Sequence, residues 1–311
     1  MLDQDLDPQS KIDINSYNVI RGEEVKFTSS YGCSFLVSKD EVVFVAQYFP
    51  KATVEERGEG TSPFHSEVRS MCKLGKFNSI IGFNGYQENF VLEGFDENQS
   101  VVILEYLNYS LKDFIQKKPR IWDDTMKVKT IIGIALGMKY AHLNDVCHRN
   151  LAVSCILFDK DYNPKICNFE NSKIFEEEDL ESSLQQTMIG RRSFISINAD
   201  DDEDEFDPKA GDVADFGTLM HCIFSGKPDF QNLSGSFKLP KIRNIKKDYW
   251  DLIQECCSSD QWARPSFSKI VKKLMDRDMW LNADQEKIEE YINTFPNDIL
   301  ADTDADDNDQ E

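Results

Sequence analysis

The chain has 311 residues, 40% of them hydrophobic, and a formal net charge of −21. That length suits one large domain or two medium ones, and the acidic balance, with no basic cluster interleaved with aromatics, argues against nucleic acid and anionic membrane surfaces as partners. No apolar run approaches the roughly 18 residues needed to span a bilayer, and the acidic start Met1-Leu2-Asp3-Gln4-Asp5 is unlike a secretory or transit leader, so the expected compartment is the cytoplasm, with the nucleus as the alternative.

In chain order, residues 1–15 read as a loose acidic leader. From about residue 16 to 104 the apolar runs are short and rich in β-branched and aromatic residues. Ser34-Phe35-Leu36-Val37, Glu41 to Ala46 and Val101-Val102-Ile103-Leu104 predict strands, and Lys39-Asp40 predicts a tight hairpin between the first two. One helix interrupts this region over Pro63 to Leu74, with Thr61 or Ser62 as N-cap.

From about residue 110 the period changes to helical. Val128, Ile131, Ile132 and Ala135 fall on one face, as do Tyr249, Leu252, Ile253 and Cys256, and Phe267, Ile270, Val271 and Leu274. Asp212 to Ile223 is apolar on nearly every side and predicts a helix inside a domain. Ile288, Tyr291 and Ile292 predict a short amphipathic helix. Two acidic runs, Asp200 to Asp207 and Asp298 to Glu311, are expected to be exposed and mobile, because like charges at that density repel. Strands followed by helices predict an α+β fold in two lobes.

The eight cysteines are scattered, and a chain of this size does not need disulfides, so free thiols are expected. A zinc site from Cys147, His148, Cys155 and Cys167 lacks the paired C-x-x-C spacing, and no metal is expected.

The segment Val146-Cys147-His148-Arg149-Asn150-Leu151-Ala152-Val153-Ser154-Cys155-Ile156-Leu157 resembles the catalytic loop of a protein kinase, H-R-D-L-x-x-x-N. Asn150 stands where that loop carries its base, and Cys155 where it carries a magnesium ligand. An amide takes no proton near neutral pH, and a thiol is a poor partner for magnesium, which prefers hard oxygens. The resemblance runs from about residue 16 to 280, and Leu151-Ala152 makes it more similar to the tyrosine-kinase-like group. It implies a bilobal fold: a strand-rich N-lobe at 16–104 with one helix, a hinge at 105–109 and a larger helical C-lobe at 110–280. Residues 281–311 are then a short helix and an acidic tail.

The same resemblance implies the roles of other positions. Phe27 to Ser34 matches the glycine-rich loop, where only Gly32 keeps its glycine, so a plain hairpin replaces a phosphate cradle. Val45-Ala46-Gln47 matches the strand that carries a phosphate-pairing lysine, here Gln47. Glu67 matches the helix glutamate that pairs with that lysine. Either a Gln47–Glu67 hydrogen bond holds the helix inward, or Glu67 faces solvent; Lys26 or Lys39 would have to supply any displaced charge. Ala46, Leu104, Glu105, Leu107 and Leu157 mark the vestige of a nucleotide cleft. Asn168-Phe169-Glu170 matches the metal-binding D-F-G, with the charged ligand neutralised and a carboxylate in place of glycine.

Gly190 to Asn198 matches the end of the activation segment, with Asn198 replacing a glutamate. That leaves Arg264 short of a counter-ion unless the run beginning at Asp200 supplies one. Asp212 matches the aspartate that braces the His148-Arg149 turn. Met71, His148 and Phe169, with Phe83, match the apolar stack that joins the lobes.

The implied function is that of a pseudokinase: a protein-binding scaffold or allosteric regulator in signalling, with no cofactor. The alternatives are a weakly active or unconventional ATP-dependent protein kinase, and ATP binding without magnesium.

Overall fold

The computed structural model describes residues 6–20, 25, 31–50, 62–91, 98–175, 207–228, 239–280 and 282–301. Strands β1 (Asn18–Ile20), β2 (Cys33–Lys39), β3 (Val42–Pro50), β4 (Phe83–Val91) and β5 (Asn98–Glu105) form one antiparallel sheet in the order β1-β2-β3-β5-β4. β3 is central, and four of its residues alternate between two apolar layers: Val45 and Phe49 face the main core, while Ala46 and Tyr48 join a smaller cluster with Val37, Val101 and Ile103.

The hairpin between β2 and β3 turns on Asp40-Glu41, not on Lys39-Asp40. Both turn residues have positive φ, 49° and 65°, and Lys39 pairs with Val42. Two central residues at φ > 0 are what a two-residue hairpin requires to match the twist of its strands, so the turn sits one residue later than composition indicates.

Helix α1 (Pro63–Leu74) lies against this sheet. Ser62 caps it by accepting from the His65 N–H, Pro63 fills a position whose N–H would be idle, and Gly75 ends it at φ 58°. Its inner face, Phe64, Val68, Met71 and Leu74, is buried.

Residues 6–17 are not loose. Leu6 enters the main core and Ile14 the smaller cluster. The Ile12 N–H donates to the Tyr86 carbonyl at 2.9 Å, and the Ile14 N–H to Gln87 Oε1 at 2.6 Å. Three apolar side chains in an otherwise acidic stretch suffice to anchor it along β4.

The helical lobe is built on α3 (Asp124–Leu143), which follows the short α2 (Leu111–Lys117) and is buried on nearly every face. Around it lie α4 (Pro208–Ser225), α5 (Lys247–Cys256), α6 (Phe267–Leu274), α7 (Gln285–Ile292) and α8 (Asn297–Leu300). Short strands β6 (Tyr109–Ser110), β8 (Ile156–Phe158) and β9 (Pro164–Ile166) form one small sheet, and β7 (Val146–Cys147) pairs with β10 (Lys173–Ile174). The α+β, two-lobed architecture expected from sequence is present.

The start of the second acidic run differs from expectation. Residues 297–300 are helical, Ile299 is buried, and the Ala301 carbonyl accepts from Lys139 Nζ at 2.8 Å. Phe295 and Ile299 supply apolar surface that a purely acidic tail would lack. Residues 200–206 and 302–311 lie outside the described residues.

Candidate functional site

Asp212 sits one turn into α4 and is fully buried. Its Oδ2 accepts from the His148 N–H at 2.8 Å and its Oδ1 from the Arg149 N–H at 2.7 Å; His142 Nε2 lies 2.9 Å from Oδ2. Three partners around one carboxylate make a buried charge tolerable. They also hold Arg149 at φ 63°, a conformation a non-glycine residue keeps only when its surroundings enforce it. His148 Nε2 lies 3.0 Å from the Cys167 carbonyl and its Nδ1 accepts from the Asn150 N–H at 3.3 Å. That pairing requires the Nε2–H tautomer, and burial pushes the imidazole pKa down, which keeps the ring neutral. His148 packs on Phe169 with ring centroids 4.8 Å apart. Met71 and Phe169 are fully buried, and Phe83 packs partly buried against the same core. The frame of the loop is thus held by ordinary packing and hydrogen bonds.

The groups within that frame carry little charge chemistry. Asn150 is half-buried, and its carbonyl accepts from Cys155 Sγ at 3.2 Å. Burial pushes the Cys155 thiol up to about 11, so it is protonated at neutral pH and offers magnesium no anionic ligand. Asn168 has φ 72° and is buried, and its Oδ1 has no hydrogen-bond partner. A neutral amide and a protonated thiol do not fit the magnesium-triphosphate that the kinase fold implies.

Gln47, in the strand-lysine position, is fully buried on β3, and its Nε2 donates to Glu170 Oε2 at 3.2 Å. Neither sequence-based alternative for Glu67 holds. Glu67 does not face solvent, being fully buried, and it does not bond Gln47; neither of its oxygens has a hydrogen-bond partner. Burial pushes its carboxyl well above the usual range, and the Glu170 charge pushes the same way. The reason is competition. Glu170, added where the family pattern has glycine, reaches the Gln47 amide first. Lys39 supplies no displaced charge, since its ammonium lies 5.0 Å over the Tyr17 ring, and Lys26 lies outside the described residues.

Leu104, Leu107 and Leu157 are buried in the main core, whereas Ala46 belongs to the smaller cluster with Val37, Tyr48, Val101 and Ile103, on the face of β3 opposite to Gln47. Glu105 ends β5; its Oε1 accepts from the Gly82 N–H at 2.7 Å and pairs with Lys165 Nζ at 3.1 Å, tying β5 to β9. Gly32 is needed for close approach, because a Cβ there would stand 1.7 Å from the Tyr48 carbonyl oxygen. Tyr31 beside it donates its hydroxyl to Asn171 Oδ1 at 2.7 Å, a strap from the glycine-loop position to the turn at 169–171. Sequence reading missed Tyr31 and the Gln47–Glu170 pair. Both are contacts between segments more than a hundred residues apart, and neither residue type advertises them.

Arg264 is half-buried and donates to the Ser258 and Ala210 carbonyls, each at 3.0 Å. Burial lowers its pKa, with Asp207 and Asp215 among the charges opposing that shift. Backbone oxygens thus take much of the role of the missing glutamate. Asn198 and the residues around it lie outside the described residues. The four residues weighed for zinc do not assemble; among the described residues, the compact metal-ligating group is His142, Cys147 and Asp212. There Asp212 is already bonded to backbone, and burial pushes the Cys147 thiol well up, so it is no site. No helix among the described residues is long and apolar enough to cross a membrane.

A family model for protein tyrosine and serine/threonine kinases matches residues 38–274. A probable serine/threonine-protein kinase of Dictyostelium discoideum is 31% identical over 227 residues, covering 70% of this chain and 21% of that protein. A putative cysteine-rich receptor-like protein kinase of Arabidopsis thaliana is 29% identical over 278 residues, covering 79% of this chain and 42% of that protein. A receptor-like serine/threonine-protein kinase of the same plant is 32% identical over 177 residues, covering 54% and 20%. The chain therefore spans between 20% and 42% of the length of these relatives. The two-lobed fold, the Asp212-braced loop and the match over residues 38–274 lead to one statement of identity: the chain belongs to the protein tyrosine and serine/threonine kinase family.

Proposed function

We propose that this kinase-family chain works as a pseudokinase, binding a protein partner as a scaffold or allosteric regulator in signalling, in the cytoplasm and without a cofactor. Its Leu151-Ala152 pair favours the tyrosine-kinase-like group. The proposed kinase-like unit is 16–280, with the N-lobe at 16–104, the hinge at 105–109 and the C-lobe at 110–280.

The observation that carries this reading is the Gln47–Glu170 hydrogen bond. A neutral amide bonded to a carboxylate stands where phosphate attraction would require a free ammonium. Asn150, Cys155 and Asn168 support it, since the base and both metal ligands are altered as well. Removing one charge-stabilising group typically costs ~10²–10³ in rate, and removing a general base ~10²–10⁴. These losses do not multiply, yet a single one leaves a poor phosphotransferase.

A radiolabelled ATP assay on the full chain tests this, together with melting curves taken with ATP, with and without magnesium. The expected result is no transfer above background and no magnesium-dependent shift. Autophosphorylation that disappears in Asn168→Ala would overturn the proposal.

A second reading, a weakly active serine/threonine kinase, is favoured by the serine/threonine kinases among the relatives and by the retained Glu67, His148, Arg149 and Asp212. Transfer that survives Asn168→Ala and is lost on Asp212→Asn would support it.

A further inference from the structure

Cys155 and Cys167 face one another across the small sheet of the helical lobe. The ladder of β8 and β9 pairs Ile156 with Ile166 and Leu157 with Lys165, and the next step of that register sets Cys155 opposite Cys167. The Cys167 N–H donates to the Cys155 carbonyl at 2.9 Å, which carries the pairing to this position. The Cys167 sulfur turns the same way, with Sγ 3.3 Å from that carbonyl oxygen. Opposed residues of an antiparallel ladder share one face and have Cα atoms about 4.5–5.5 Å apart, and a disulfide takes Cα separations of about 4.4–6.8 Å. Both thiols are free in the structure.

Both side chains are fully buried, yet Cys155 lies one layer below the surface. Its Sγ is 3.9 Å from the hydroxyl of the exposed Ser154 and 3.2 Å from the carbonyl of the half-buried Asn150. Cys167 lies deeper, with its own carbonyl 3.0 Å from the buried His148 Nε2. The outer thiol is therefore the one that a small oxidant meets first, and the inner one is placed to resolve it. Burial pushes both thiols up, Cys155 to about 11, which slows their reaction and favours an oxidant small enough to enter over a bulky disulfide.

We propose that Cys155 and Cys167 form a reversible oxidant-sensing pair, closed to a disulfide by hydrogen peroxide. Peroxide oxidises the Cys155 sulfur to a sulfenic acid; the O–O bond breaks and one water leaves. The Cys167 sulfur then attacks the Cys155 sulfur. The S–S bond forms, the S–O bond breaks, and the Cys167 proton leaves with the hydroxyl as a second water. Two electrons pass from the thiols to the peroxide, and a dithiol reductant returns them by exchange. Closure withdraws the Cys155 thiol from the Asn150 carbonyl and fastens the loop at 150–155 to the residue before Asn168. It is independent of whether phosphate is transferred.

The test exposes the reduced full chain to hydrogen peroxide, with a parallel sample in concentrated urea. Remaining thiols are alkylated, the protein is cut with trypsin, and the peptides are read by mass spectrometry. In the native chain, Asn150–Lys160 and Ile166–Lys173 are expected as one disulfide-linked species, at several times the yield in urea, and dithiothreitol should separate them. Cys33→Ser, at an exposed cysteine, keeps the link. Cys167→Ser loses it and leaves a sulfenic acid on Cys155 that dimedone traps. The wild-type map stands without either variant. A native yield no higher than that in urea would overturn the proposal, as would a link from Cys155 or Cys167 to any other cysteine, or Cys155 passing to sulfinic acid while Cys167 stays a thiol.

Discussion

Gln47 and Glu170 are joined by a 3.2 Å hydrogen bond across 123 residues of chain, and that bond leaves Glu67 buried beside them without a donor. The cleft end of the sheet therefore holds buried acceptors, Gln47 Oε1 and both Glu67 oxygens, that no donor meets. Its behaviour should follow from that imbalance.

Restoring a cation by substitution is the most direct perturbation. Gln47→Lys places an ammonium between two carboxylates, where charge-assisted hydrogen bonds are worth about 1.5–3 kcal/mol. Stability, read from urea midpoints, should rise by about that amount. Phosphate transfer should stay at background, because Asn150 and Asn168 are unchanged.

The pH dependence has a defined sign. Glu67 has a folded-state pKa well above the ordinary value of 4.5, so the folded protein binds its proton more tightly than the unfolded chain does. Its contribution is complete below that ordinary value and is lost as pH rises through the raised value. Wild type should lose stability relative to Glu67→Gln as pH rises above about 5. Urea unfolding of the two proteins across that range checks this, and the difference between them cancels the opposing titration of His148.

Asp212 anchors the loop that carries His148 and Arg149. Asp212→Asn keeps the shape but leaves one of the two backbone N–H groups without its carboxylate oxygen, and Arg149 remains in a strained conformation. A loss of about 3 kcal/mol is expected, measured by chemical denaturation, with faster hydrogen exchange at the His148 and Arg149 amides.

Gly85 makes room for the N-terminal segment. It has φ 121°, and a Cβ there would lie 2.5 Å from Ile12 Cγ2 and 2.6 Å from the Ser10 carbonyl oxygen. Gly85→Ala should cost about 2 kcal/mol and undock residues 6–17. Limited proteolysis before Asn18 is the readout, and resistance equal to wild type would count against the docking described above.

The strap across the cleft is testable by a single oxygen. Tyr31→Phe removes the donor to Asn171 Oδ1 and should lower stability by about 1 kcal/mol, seen as a lower melting temperature with the fold otherwise unchanged.

Much of this protein is written locally. The period of Tyr249 to Cys256 and of Phe267 to Leu274 gives α5 and α6, and Ser62 and Pro63 mark the start of α1, because helix periodicity and capping are set within a few residues. The altered residues Gln47, Asn150, Cys155 and Asn168 are equally legible, since their spacing within recognisable segments assigns them a place. What those residues do with one another is decided elsewhere. Whether Gln47 bonds Glu67 or Glu170, whether Glu67 meets water, and whether residues 6–17 hang free or dock on β4 all depend on how separate elements are positioned in space. Hydrogen bonding and burial act over a few ångströms, and only the folded chain brings β3, α1 and the turn at 169–171 within that range.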